Sequence, residues 1–246
     1  MSPTDAEGAA ALDRLSRRLD EVTTRLDELS RRVELLQPRT DLLSEQEAAA
    51  RRDTGEFIVE HLPEATVLWH PHDTLRFALA QVDAQAPGLA LEFGVASGAT
   101  LGIIAHEVSE DRPVVGFDSF EGLPETWRTG FPAGSYAQAP PLYVSGAEIV
   151  AGLFADTLPG FLLEHQGPVA FAHFDADLYS STKTALDLIG DRLVPGAVLA
   201  FDEYFNYPGW RRHEHRAFRE FIDGTGRTFE YLAYTGNHQQ VVVRLG

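Results

Sequence analysis

Six carboxylates stand where short apolar runs end. They are Glu92 in LEFGVASGAT, Asp118 in GFDSFEGLPE, Asp175 and Asp177 in HFDADLY, and Asp202 and Glu203 in FDEYF. Gathered in one place, such groups have three uses. One can accept the two hydroxyls of a ribose, which is the expected role of Asp118. Three together can hold a hard cation such as Mg²⁺ through oxygen, and Asp175, Asp202 and Glu203 are the candidate metal ligands. They can also repel one another, so that one keeps its proton and serves as a general base. Asp175 is the candidate nearest the reacting group. Asp177 precedes an expected helix and is expected to cap it.

The first of these acids sits beside a small-residue turn at Gly94, Ser97 and Gly98. A strand, a glycine turn and a helix start let a ligand approach the backbone and meet unpaired N–H groups. The spacing is not that of the dinucleotide fingerprint. Glu92 would repel a pyrophosphate and attract an ammonium or a sulfonium, and S-adenosylmethionine (SAM) carries both. The histidines are weaker signals. His213 and His215 lie two apart on an expected helix and cannot chelate together. His173 is expected within a strand. His238, in a late turn, is a candidate catalytic base alongside Asp175. Glu214 is expected to be a buried ion-pair partner, with Arg211 as the candidate.

Positioning these groups requires alternating strands and helices. Strands are expected at 89–93, 113–117, 147–150, 169–174 and 197–201, with helices at 100–108, 180–189 and 212–222. Two late strands, 229–234 and 239–245, are expected to pair antiparallel through a turn at Gly236 and Asn237. Continuous apolar strands alternating with helices imply an α/β, Rossmann-like sheet. Seven mostly parallel strands with an antiparallel last one are expected, and ligands bind at the carboxyl ends of such strands. Upstream, Leu12, Leu15, Leu19, Val22, Leu26, Leu29, Val33 and Leu36 step by threes and fours, as in a four-heptad coiled coil. A single amphipathic helix packed on its own domain is the alternative. The expected organisation is an oligomerisation helix at 1–38, a helical linker at 39–65 and a catalytic domain at 66–246.

The chain has 246 residues, a net charge of −17 and no cysteine. The charge excludes nucleic acid and anionic membrane as partners. Thiolate catalysis and zinc–sulfur sites are excluded outright. No basic leader followed by an apolar core and no membrane-length apolar run is present, so a cytoplasmic protein is expected.

Four segments, LEFGVASGAT, FDSFEGLPE, GLFADTLP and HFDADLYSST followed by PGAVLAFDEY, resemble the macrocin-type O-methyltransferases over roughly residues 66–204. These are class I SAM-dependent enzymes. The resemblance implies that Glu92, Gly94, Ser97 and Gly98 surround the methionine part of SAM. Asp118 and Ser119 would hold the ribose, Gly152 and Phe154 would lie near the adenine, and Thr66 and Asp175 would complete the set. It also implies a metal on Asp175 and Asp202, although the family's Asp-Asp-Tyr is here Asp202-Glu203-Tyr204. The expected reaction is transfer of the SAM methyl to a hydroxyl of a sugar or other small molecule. Tyr204, Phe205, Tyr207 and Trp210 are expected to wall the acceptor pocket or to pack in the core. A nicotinamide-dependent oxidoreductase and a non-catalytic coiled-coil assembly protein are the competing readings.

Overall fold

A computed structural model describes residues 22–23, 25–26, 42–108, 111–141 and 143–246. The heptad segment therefore lies almost wholly outside the described residues. Of it, Val22, Thr23, Arg25 and Leu26 are helical. Residues from Gln46 to Gly246 form one compact unit.

The elements in chain order are α1 (Leu42–His61), β1 (Thr66–Leu68), α2 (Pro71–Ala80), β2 (Leu89–Phe93), α3 (Ala99–Glu107), β3 (Val114–Asp118), β4 (Glu148–Ala151) and α4 (Phe154–Glu164). They continue with β5 (Val169–Phe174), α5 (Tyr179–Ile189), β6 (Leu193–Phe201), α6 (Glu214–Thr225), β7 (Phe229–Thr235) and β8 (Val241–Leu245). The strands form one sheet of eight in the order β1-β7-β8-β6-β5-β2-β3-β4. All neighbours are parallel except β8, which runs antiparallel to both β6 and β7. The late antiparallel pair is as expected. The strand count is eight rather than seven, because Thr66–Leu68 adds to the edge of the sheet beside β7. A three-residue edge strand has too short a pattern to stand out in sequence.

Packing explains why the acids end up together. β2 and β5 are buried along their whole length, as parallel strands covered on both faces must be. The register sets Phe93 opposite both Phe117 and Phe174, and Phe174 opposite Phe201. Their rings stack in a row across β3, β2, β5 and β6, with centroids 5.5, 5.3 and 4.9 Å apart. The backbone ladder runs one residue further. Gly94 N–H donates to Phe117 O, Asp175 N–H to Phe93 O and Asp202 N–H to Phe174 O, each at 2.8–2.9 Å. Gly94, Asp118, Asp175 and Asp202 are thus the residues that follow four aligned phenylalanines, and they open onto the same end of the sheet.

One expectation changes here, and one open alternative is decided. The 39–65 segment is not a linker from Gln46 onward, since Phe57 of α1 is buried in the core and Thr54 Oγ1 accepts the Asn206 N–H at 2.9 Å. Tyr204, Phe205, Tyr207 and Trp210 are core residues, each at most 1% exposed, because the turn they form folds back under α1 and α6. None of them lines a ligand cleft.

His215 of α6 sits in this aromatic core, 4.8 Å from Trp210, 5.1 Å from Tyr204 and 5.4 Å from Phe57 by ring centroid. Burial, followed by the charges of Arg211 and Arg219, pushes its pKa down to about 4. Its ordinary value in an unfolded chain is about 6.5. The folded form therefore binds fewer protons, so its contribution to stability is complete above about pH 6.5 and is lost as pH falls toward 4, by at most about 3 kcal/mol. His215→Phe fills the same ring site without a proton to accept. It is expected to flatten the fall in melting temperature between these pH values; an unchanged acid limb would contradict this.

Candidate active site

A cleft of about 610 Å³ opens at the carboxyl ends of β2, β3 and β5. This is where the sheet order reverses direction between β2 and β5, the place where α/β sheets bind ligands. Its walls include Gly94 and Ala96 after β2, Asp118 and Ser119 after β3, and Gly152 to Ala155 at the start of α4. Asp175, Asp177 and Glu203 close its floor, and Glu125 and Tyr136 flank it.

Asp118 fixes the glycine turn. Its Oδ2 accepts the N–H groups of Val95 and Ala96 at 2.9 and 2.8 Å, and its Oδ1 accepts that of Phe120 at 2.8 Å. It still lines the cleft, and a carboxylate has lone pairs left for a ribose diol. Gly94 adopts φ +98°, and a Cβ there would lie 1.7 Å from the Asp175 carbonyl oxygen. Only glycine lets β2 and β5 end this close together.

Asp175, Asp202 and Glu203 each bring a carboxylate oxygen within 4.8 Å of the others. Asp177 is adjacent. It does not cap α5, whose N-cap is Leu178 with no side-chain cap bond. Instead its backbone takes φ +58°, rare for a non-glycine residue, and the residue turns into the cleft wall. Burial and then the neighbouring Asp202 charge push Asp177 up to about 7. Burial followed by Asp202 also holds Asp175 and Glu203 well above the usual carboxylate range. Asp202 is the exception. Burial opposes its ionisation, but His173 together with hydrogen bonds to Glu203 and Gln240 keeps its carboxyl below the ordinary value.

Glu214, buried in the first turn of α6, spans the two loops that carry these acids. Its Oε2 accepts the Glu203 N–H at 3.0 Å and its Oε1 the Ala176 N–H at 3.4 Å. Burial raises it to about 8. The expected partner Arg211 is engaged elsewhere, in a 2.8 Å pair with Asp53.

The expected cofactor residues divide into two groups. Gly94, Asp118, Ser119, Gly152, Phe154 and Asp175 all line the cleft. Glu92 does not: it is fully buried, and its Oε1 lies 2.8 Å from His173 Nδ1. Ser97 and Gly98 are also outside the lining; a Cβ on Gly98 would meet Val144 at 2.7 Å. Thr66 stands at the opposite edge of the sheet in β1, so the structure does not bring it to the cleft. His238, in the β7–β8 turn, lies outside the lining as well, and its carbonyl accepts from Asn206 Nδ2 at 2.9 Å.

Sequence reasoning missed Ala96, Tyr136 and Glu125 as cleft walls, and it misassigned Asp177. Tyr136 also has a left-handed backbone, φ +66°. Its segment is anchored by Arg128, stacked on Trp127 and Tyr207 with its guanidinium 4.2 and 4.9 Å from the ring centroids.

Residues 91–204 match a family model described as a methyltransferase domain. These residues are a methyltransferase domain. The matched stretch runs from β2 to the end of β6 and takes in all six strand-end acids. Among solved structures, the methyltransferase resembles the calicheamicin methyltransferase CalS11 at 26% identity, covering 84% of this chain and 94% of that one, with a TM-score of 0.59. An apo structure of CalS11, described as a TDP-rhamnose 3'-O-methyltransferase of calicheamicin biosynthesis, is 28% identical, covers 70% of this chain and 77% of that one, and has a TM-score of 0.52. The O-methyltransferase NovP shares the fold at 22% identity and a TM-score of 0.55, covering 70% of this chain and 78% of that one. No curated protein matches the methyltransferase in sequence. Among the described residues no helix is long and apolar enough to cross a membrane.

Proposed function

We propose that the methyltransferase O-methylates an uncharged, hydroxyl-rich small molecule, a sugar or a natural product, in the cleft between β2, β3 and β5. The observation that carries this is the lining itself. Among the described residues it holds Asp118, Glu125, Asp175, Asp177 and Glu203, and no lysine, arginine or histidine. A phosphate or carboxylate on the acceptor would face these five carboxylates. A sulfonium, a polyol and a cation all suit such walls.

Gly94 and Ala96 receive the methionine part of SAM, Asp118 and Ser119 the ribose, and Gly152 to Phe154 the adenine. Bound SAM supplies an electrophilic methyl group, which leaves sulfur as the new carbon–oxygen bond forms. The chain contributes position first, by holding the acceptor hydroxyl in line. Asp177 then accepts the hydroxyl proton, since it is held in the wall by a strained backbone and is not spent on capping a helix. Asp175, Asp202 and Glu203 have the donor type and spacing to hold Mg²⁺, which would acidify the bound hydroxyl and offset their mutual repulsion. The N-terminal heptads would join copies of the chain, and deleting residues 1–38 is expected to lower the oligomeric state in light scattering while SAM binding stays.

The test is release of S-adenosylhomocysteine (SAH) from SAM with paired acceptors, free sugars against their nucleotide-diphosphate forms, in Mg²⁺ and in EDTA. Turnover with the uncharged member and loss of rate in EDTA are expected. Turnover confined to the diphosphate would overturn the acceptor class, and full rate in EDTA would remove the metal.

A further inference from the structure

The acid of the glycine-turn motif faces away from the cofactor cleft, and its neighbours give it another task. Glu92 on β2 and His173 on β5 are direct cross-strand partners. Glu92 Oε1 and His173 Nδ1 are 2.8 Å apart, and the two side chains are 0% and 3% exposed. On its other side His173 presents Nε2 to Asp202 Oδ1, at 3.9 Å. His173 is in turn opposite Ala200 on β6, two residues before Asp202. A line of three side chains, Glu92–His173–Asp202, therefore crosses three adjacent strands and ends at one corner of the carboxylate cluster.

We propose that His173 is a positioning residue: held by Glu92, it fixes the carboxylate of Asp202 in the orientation in which Asp175, Asp202 and Glu203 converge on a divalent cation. This rests on the metal reading given above. The geometry supports it in three ways. Asp202 is the only one of the three acids that a histidine, lysine or arginine nitrogen approaches within 4.0 Å among the described residues. An imidazole with a carboxylate on one nitrogen cannot rotate freely, so its second nitrogen is aimed. Glu92 has no place in the cleft lining, and its Oε1 is hydrogen-bonded to His173. The motif acid then serves the cluster indirectly and leaves cofactor contact to Gly94, Ala96 and Asp118. A residue behind a metal ligand that sets its orientation is worth about 10–100-fold in metal affinity.

The two nitrogens of His173 can be tested separately. His173→Asn places an amide near Nδ1, toward Glu92, and falls short of Asp202. His173→Gln reaches the Nε2 position. Mn²⁺ binding is read from the paramagnetic resonance of the free ion, and SAH binding by calorimetry. His173→Asn is expected to weaken Mn²⁺ binding by about 10–100-fold with SAH affinity retained, and His173→Gln to recover most of that loss. Glu92→Gln, which keeps an acceptor at Oε1, should behave as the wild type, and Glu92→Met as His173→Asn. Should His173→Asn fail to fold, the Glu92 pair carries the comparison. Wild-type Mn²⁺ affinity in His173→Asn, or equal losses in His173→Asn and His173→Gln, would overturn the proposal. If the wild type binds no Mn²⁺, the metal reading fails, and a crystal structure of His173→Asn decides: a displaced Asp202 carboxylate upholds the positioning role, and an unmoved one ends it.

Discussion

Asp177→Asn is expected to lower kcat by about 10²–10⁴-fold, the usual worth of a positioned general base, while SAH binds as in the wild type. Asparagine keeps the shape and tolerates the left-handed backbone that Asp177 adopts, φ +58°, so the fold is not at risk. It cannot take a proton. The expected signature is therefore a loss in kcat with the KM for SAM unchanged, which marks an interaction made only in the transition state. Asp175→Asn differs, because Asp175 shares the carboxylate cluster with Asp202 and Glu203. It is expected to lose turnover and divalent-cation binding together. Single-turnover methyl transfer with both variants separates the two roles. Near-normal turnover in Asp177→Asn would return the base assignment to Asp175.

Gly94→Ala is expected to destroy cofactor binding and to destabilise the fold by about 3–5 kcal/mol. A methyl group there cannot coexist with the Asp175 carbonyl 1.7 Å away, so the ends of β2 and β5 must separate. That separation breaks the floor of the cleft at the point where the methionine part of SAM is received. Gly196→Ala is the control. Its φ is +84°, but nothing lies within 4 Å of an added Cβ. It should cost about 1–2 kcal/mol of backbone strain and leave SAH affinity alone. Equal effects of the two substitutions on SAH binding would show that strain, rather than the closeness of the two strand ends, is what matters.

The strand-end acids were legible because each follows a continuous apolar run, and a parallel sheet buried on both faces is built from such runs. Their convergence was legible for the same reason, and the phenylalanine row at 93, 117, 174 and 201 is the physical device behind it. Asp177 was misassigned because a carboxylate just before a helix usually caps it. Nothing local signals the left-handed turn that sends this one into the cleft instead. Glu92 was placed against the cofactor because its partner is 81 residues away in sequence. Which face of a fully buried strand meets a ligand is set by its cross-strand neighbours, not by its own pattern. Thr66 was out of reach of the same logic, since three residues at the sheet edge carry no periodic signal. The aromatic run from Tyr204 to Trp210 suits a pocket wall and a core equally in composition, and only the packing of α1 and α6 decides for the core.

The measurement that tests the central claim most directly is calorimetric titration of the full chain with SAM and with SAH, in Mg²⁺ and again in EDTA. One site per chain with a dissociation constant in the micromolar range is the expected result for both ligands. Binding that persists in EDTA would agree with a cofactor held by Gly94, Ala96, Asp118 and Gly152 to Phe154, apart from the carboxylate cluster. No heat with either ligand under both conditions would contradict the assignment of this cleft to SAM.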